Sequence, residues 1–304
     1  MMDGIINIKK EKGFTSFDVV AKLRGILKQK KIGHTGTLDP DATGVLPVCL
    51  GNATKLCDML TDKTKEYIAE FLLGQTTDTQ DISGTVLKEE KVLCTEEDVR
   101  KVISSFKGEI EQIPPMYSAI KINGKKLYEL AREGKEVERK ARHISVYEIE
   151  ILSINLPVVK IRVECSKGTY IRTICHDVGE KLGCGAVMCS LVRTRSGAFL
   201  LENALTLDEV EAYRDQQKLD TYIQTTDQIL SEYPSCVVRG EVYKKICNGN
   251  AVTLDELEME HCMQGQRFRI YGMEQEKKQF LALYEYHSER ETARPFKMFL
   301  PQEG

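Results

Sequence analysis

Lys31-Ile32-Gly33-His34-Thr35-Gly36-Thr37-Leu38-Asp39-Pro40-Asp41-Ala42-Thr43-Gly44-Val45-Leu46-Pro47 packs three glycines, two prolines, two aspartates and the first histidine of the chain into 17 residues. That is too much glycine and proline for a helix or a long strand. It is not a simple solvated loop either, because it carries little charge beyond Lys31, Asp39 and Asp41 and runs into the apolar stretch Val45 to Leu50. A weakly charged, glycine-rich loop between ordered elements is where backbone approaches a ligand closely. Asp39 is the catalytic candidate and Asp41 its rival, although an Asp before Pro is commonly only a turn former. On its chemistry alone His34 is a satisfied polar group, a ligand-contacting wedge or an acid–base. Gly33-x-x-Gly36 matches neither a phosphate-binding loop nor a dinucleotide fingerprint.

The chain around this loop has 304 residues, 41% of them hydrophobic, enough for a substantial core in one large domain or a large one with a small one. A net charge of -3 excludes a uniformly basic nucleic-acid binder. The charge is uneven, however. Residues 1–200 hold 31 Lys and Arg against 27 Asp and Glu, whereas residues 201–304 hold 12 against 19. This asymmetry suggests two domains, with any anionic ligand mainly on the first. The ten cysteines form no CxxC pair. Apolar neighbours around Cys49, Cys57, Cys165 and Cys175 make them reduced core thiols of a cytoplasmic protein rather than metal ligands. No membrane segment or signal peptide is expected.

In chain order, Ile5 to Ile8 reads as a strand, and Ser16 as the N-cap of a helix with Val20, Leu23 and Leu27 on one face. A short helix follows over 52–60, then a strand from Tyr67 to Leu73 and a polar loop from Gly74 to Asp81. Thr95-Glu96-Glu97-Asp98 opens a capped helix. Residues 107–142 differ in texture: a rigid Ile113-Pro114-Pro115-Met116 segment precedes eight basic and four acidic side chains between 117 and 145. This is a solvated surface helix with i,i+4 pairs or a protruding arm that contacts phosphates. Val146 to Ile154 and Val158 to Cys165 are strands, the second with strict alternation. Ile171, Ile174, Val178 and Leu182 share a helical face ended by Gly183 and Gly185. Ala186 to Val192 is a strand and Thr206 caps another helix. After a boundary near Tyr233-Pro234, short runs at 236–238, 242–246, 268–271 and 280–284 predict a small β-barrel.

The motifs together resemble those of the TruB-type tRNA pseudouridine synthases. The resemblance rests on Gly33 to Pro47, on Gly13-Phe14-Thr15-Ser16-Phe17-Asp18, on Lys65-Glu66-Tyr67 with Gly74-Gln75-Thr76-Thr77-Asp78-Thr79, and on Pro114 to Lys121 with Gly124 to Gly134. It extends through Ser166-Lys167-Gly168-Thr169-Tyr170-Ile171-Arg172 and Leu191 to Gly197, covering roughly residues 4–200 in order. Glu11 departs from the pattern, where the family usually has a proline.

The resemblance implies an α+β fold: a mixed, mostly antiparallel sheet flanked by helices, spanning 1–232 with an RNA-gripping arm at about 107–142. A PUA-like RNA-binding β-barrel would occupy 233–304. It implies isomerisation of the T-loop uridine at tRNA position 55, with the base flipped out of the folded RNA. Asp39 would be the catalytic carboxylate, leaving Asp41 a bystander, and Arg172 the guanidinium that keeps Asp39 ionised. Tyr67 would stack on the base and take part in the C5 proton step, for which a phenol of pKa about 10 needs help. Tyr170 and Leu191 would line the pocket, and His34 would fill the space vacated by the flipped base. Lys121, Lys125, Lys126 and Arg132 would grip the T-stem. Tyr170 and Arg172 lie about 200° apart on a helix, so the helix is expected to begin at or after Arg172. Neither a metal nor an organic cofactor is implied, and the expected state is a monomer with no obligate protein partner. The rival readings are a non-catalytic tRNA-binding or folding factor on the same scaffold, the guide-dependent ribonucleoprotein branch, and a glycoside hydrolase pairing Asp39 with Asp41.

Overall fold

A computed structural model describes residues 2–122, 124–274 and 277–300. The strands of the N-terminal part are β1 (Gly4–Lys10), β2 (Ile32–His34), β3 (Thr43–Leu50), β4 (Lys65–Leu73), β5 (Gln75–Thr77), β6 (Val86–Glu89), β7 (Gly108–Gln112), β8 (Lys121–Ile122), β9 (Lys125–Lys126), β10 (Arg142–Asn155), β11 (Val158–Cys165), β12 (Ala186–Ser196), β13 (Phe199–Leu200) and β14 (Ile223–Gln224). The helices are α1 (Ser16–Leu27), α2 (Cys57–Thr61), α3 (Glu96–Ser104), α4 (Leu127–Arg132), α5 (Ile171–Lys181), α6 (Leu207–Asp215) and α7 (Thr226–Ile229).

Ten strands build one sheet in the order β14-β1-β3-β12-β4-β11-β10-β7, with β2 beside β3 and β13 beside β12. Within it β3 and β12 pair in parallel, and the other pairings are antiparallel. This is the mixed, mostly antiparallel α+β architecture expected from the motifs.

Both faces of β1 are covered, which explains its unbroken apolar run. Ile6 and Ile8 pack with Val20 and Leu23 of α1 and Val210 of α6. Ile5 points the other way, into a cluster with Val45, Leu56, Leu283 and Phe299. The largest core lies under β4, β11 and β12 and includes Leu38, Tyr67 and Leu191. Residues from the Gly-rich loop, β4 and β12 therefore meet in one cluster.

Several local expectations are corrected. Thr15, not Ser16, caps α1: its side chain accepts from the Asp18 N–H, and Asp18 reciprocates. Ser16 instead bonds to the catalytic-candidate loop, accepting from the Leu38 N–H at 2.9 Å. Thr43–Leu50 is an eight-residue strand despite Gly44 and Pro47. Gly44 is needed there because its φ is +105° and an added Cβ would lie 2.2 Å from the Arg193 carbonyl oxygen. At this position the close approach is thus to the neighbouring strand, not to a ligand. Part of the expected 74–81 loop is β5, paired with β6. Residues 108–112 belong to the main sheet as an edge strand against β10, so the arm starts later than residue 107. The basic segment folds as the β8–β9 hairpin and the six-residue α4, of which only Leu127 is buried.

The C-terminal part contains β15 (Ser235–Val238), α8 (Gly240–Cys247), β16 (Val252–Thr253), β17 (Arg267–Glu274), β18 (Lys277–His287) and β19 (Thr292–Met298), with the five strands ordered β15-β17-β18-β19-β16. The expected strand at 242–246 is α8. Val242, Tyr243, Ile246 and Cys247 recur at helical spacing on the core side, a pattern that so short an apolar run cannot separate from a strand. No helix among the described residues is long and apolar enough to cross a membrane.

Candidate active site

Asp39 lies in the turn between β2 and β3, and Arg172 in the first turn of α5. They form a bidentate pair: Arg172 Nε lies 3.0 Å from Asp39 Oδ2 and Nη2 lies 3.3 Å from Oδ1. The Arg172 side chain is 5% exposed and that of Asp39 is 40% exposed. The carboxylate is thus open to a ligand while the guanidinium that aims it is not. A fork-on-fork pair fixes orientation as well as charge.

Arg172 holds more than its expected partner. Nη1 donates to the Thr79 carbonyl at 2.8 Å and approaches Asp81 Oδ2 at 3.5 Å. Nη2 donates to the Tyr117 carbonyl at 2.8 Å. One side chain therefore joins the Asp39 loop, the segment after β5 and the base of the arm. Asp81 is itself held by Thr79 Oγ1 at 2.8 Å and the Ser83 N–H at 3.0 Å. Burial raises the Asp39 pKa above the ordinary carboxylate range, Arg172 opposes that rise, Asp81 adds to it and Lys10 opposes it.

The helix begins one residue earlier than the motif argument required. Tyr170 is extended, with φ -98° and ψ 106°, and α5 starts at Ile171. Arg172 is therefore helical and reaches Asp39, and the charges of both Arg172 and Asp39 act on the Tyr170 phenol. Two things remove the expected conflict. The long arginine side chain reaches back from the first turn, and Gln112 clamps Tyr170 just outside the helix. Gln112 donates to the Tyr170 carbonyl at 3.0 Å and accepts its N–H at 2.8 Å.

Tyr67 and Leu191 stand on the neighbouring antiparallel strands β4 and β12 and are nearly buried, at 9% and 8% exposure. Burial pushes the Tyr67 phenol up, and Arg193 beside it partly offsets this. His34, at the end of β2, is half-buried; its Nδ1 accepts from the Gly36 N–H at 3.3 Å. Burial first, and Arg193 second, lower its pKa.

The arm cations are unequal. Lys125 pairs with Glu133 at 3.1 Å. Lys126 Nζ donates to the Tyr128 hydroxyl at 3.0 Å, and Arg132 lies 5.4 Å from the centre of the same ring. Lys121 is exposed on β8.

Lys10 carries no motif signal in the sequence. It is fully buried at the end of β1 and donates to the carbonyls of Pro40 at 3.1 Å and Ala42 at 2.6 Å. Burial lowers its pKa to about 8, against the pull of Asp39 and Asp41. The available signal was periodicity: Lys10 continues the face of Ile6 and Ile8. Asp81 and Tyr117 carried no such signal, since Arg172 contacts the latter only through its main chain.

The model of the TruB family pseudouridylate synthase N-terminal domain matches residues 24–171, and that of the tRNA pseudouridylate synthase B C-terminal domain matches residues 172–231. The chain is 50% identical to a tRNA pseudouridine synthase B of Lachnoclostridium phytofermentans, over 98% of this chain and 100% of that protein. Against the tRNA pseudouridine synthase B of Clostridium kluyveri the identity is 48%, over 89% and 92%. A solved structure described as a Cbf5-Nop10-Gar1 complex superposes with a TM-score of 0.73 at 30% identity, over 99% of this chain and 86% of that one. An H/ACA ribonucleoprotein bound to a substrate RNA containing 2'-deoxyuridine gives 0.72 at 27%, over 99% and 86%.

Proposed function

The chain belongs to the TruB family of pseudouridylate synthases, and from that membership we propose that it acts on the T-loop uridine at position 55 of tRNA. It is an enzyme that isomerises uridine to pseudouridine in RNA. The observation that carries the site assignment is the bidentate Asp39–Arg172 pair, an aimed carboxylate beside the nearly buried Tyr67 and Leu191.

The reaction breaks the N1–C1′ bond, turns the uracil and joins C5 to C1′; the C5 proton leaves and N1 gains one, so nothing is added or lost. Asp39 supplies the carboxylate that forms the transient bond or balances a cationic sugar. Arg172 orients it, and Leu191 packs against the base. Tyr67 stacks on the base and takes part in the C5 proton step, for which its phenol, raised in pKa by burial, needs a base to take over its own proton. Tyr170 lines the pocket, and His34 occupies the gap left by the flipped nucleotide. The division into a catalytic part over 1–232 and an RNA-binding part over 233–304 belongs to the same proposal, as do monomeric action and cytoplasmic location. Near 50% identity to proteins named as tRNA enzymes, against 30% to a component of a multiprotein complex, supports the tRNA substrate.

The test is incubation with an unmodified tRNA transcript and mapping of pseudouridine. The expected product is at the T-loop uridine; none there would overturn the proposal. The arm makes a second expectation. Replacing Lys121, Lys126 and Arg132 by Gln should weaken tRNA binding and flatten the slope of log K against log salt, by about 0.7–0.9 for each phosphate no longer neutralised. A change in turnover alone, with the salt slope intact, would remove the arm from binding.

A further inference from the structure

Arg193 stands on β12 opposite Gly44 of β3 on one side and Tyr67 of β4 on the other. Its side chain is among the largest that are fully buried, at 1% exposure. Nε donates to the Val45 carbonyl at 2.7 Å and Nη2 to the Gly36 carbonyl at 3.2 Å, while the guanidinium also lies against the Tyr67 hydroxyl. Gly36 precedes Asp39 and Val45 follows it, so Arg193 grips the loop on both sides of the carboxylate.

Among the described residues Arg193 forms no ion pair. An unpaired buried charge costs several kcal/mol, and packing alone would be served by an apolar side chain of similar volume. What an apolar residue cannot supply is a planar fork of donors reaching several acceptors at once. The acceptors here belong to the Asp39 loop and to Tyr67, the two groups proposed above to act on one nucleotide.

We propose that Arg193 is a positioning residue for the isomerisation: its guanidinium ties both ends of the Asp39 loop to the strand that carries Tyr67, and so sets the carboxylate and the phenol relative to each other. This rests on the roles of Asp39 and Tyr67 proposed above. The field of Arg193 on Tyr67, which opposes the effect of burial, acts in the same direction.

The test uses the full chain and unmodified tRNA transcript under saturating single-turnover conditions, with Arg193→Lys and Arg193→Met. Lysine keeps the charge but has a single nitrogen in place of the planar fork, and methionine keeps most of the volume. For each, the rate constant should fall about 10²-fold, the loss expected of an ångström-scale misplacement. The tRNA Kd and the far-ultraviolet circular dichroism should be unchanged. A lowered Tm with an unaltered rate constant would reduce Arg193 to a packing role and overturn the inference. A double-mutant cycle with Tyr67→Phe gives an independent reading. Coupling through Tyr67 predicts a double variant little worse than the worse single one, whereas full additivity overturns the link. If Arg193→Met does not fold, Arg193→Lys and the cycle decide. Wild-type protein forming no pseudouridine would sink the underlying function; active wild type beside a fully active Arg193→Lys would sink only this inference.

Discussion

Asp39→Asn is expected to lower the single-turnover rate constant on tRNA by at least about 10⁴-fold, the scale of losing a central catalytic carboxylate. Binding of tRNA should stay within a few-fold of wild type. The asparagine is nearly isosteric and can still accept from Arg172 through its carbonyl oxygen, so the site keeps its shape. It cannot form the transient bond or balance a positive sugar. The arm proposed to bind RNA does not depend on this carboxylate. Asp41→Asn is the matched control. Asp41 contributes to the field at Lys10, and the proposed chemistry does not use it. Comparable damage from the two variants, or release of free uracil, would favour paired-carboxylate hydrolysis instead.

Arg172→Met should cost about 10²-fold or more in the same rate constant and move the acid limb of its pH profile upward. The sign follows from the charges around Asp39. Burial raises its pKa and Arg172 is the largest opposing influence. Removing that cation lets the pKa rise further, so the active carboxylate is lost at a higher pH as the solution is acidified. Asp81→Asn should do the reverse, because Asp81 raises the Asp39 pKa. Its acid limb should shift to lower pH. The arginine variant also loses the link to the Thr79 and Tyr117 carbonyls, so some loosening of the arm is expected with it. Rate constants measured across the acid limb and up to neutral pH would decide the matter. A limb that stays put in both variants, or moves in the opposite directions, would remove Arg172 and Asp81 from control of the carboxylate.

The strands with clean alternation, such as Val158–Cys165, and the helices with capping boxes at Thr95 and Thr206 were legible because their signals are local. The expected pairing of Asp39 with Arg172 is also present. The errors have local causes too. Val242 to Ile246 is too short for periodicity to choose between helix and strand. Gly44 and Pro47 have the character of strand breakers, but β12 on one side and β1 on the other accommodate them. Tyr170 and Arg172 are incompatible on one helix, and Gln112 resolves the conflict by holding Tyr170 outside it.

By itself the sequence determined the family and the fold class and singled out Asp39 as the carboxylate to propose, because these depend on residue order and on hydrogen bonds and apolar faces a few positions apart. Tertiary structure alone decided what surrounds the carboxylate. Arg172 joins Asp39, Asp81, Thr79 and Tyr117 across as many as 133 residues of chain. Buried Lys10 and Arg193 bond to main-chain carbonyls of the loop. A carbonyl is the same at every position, so no residue type advertises such a bond. Only the folded sheet, which brings β1, β3, β4 and β12 together, makes those cations part of the site.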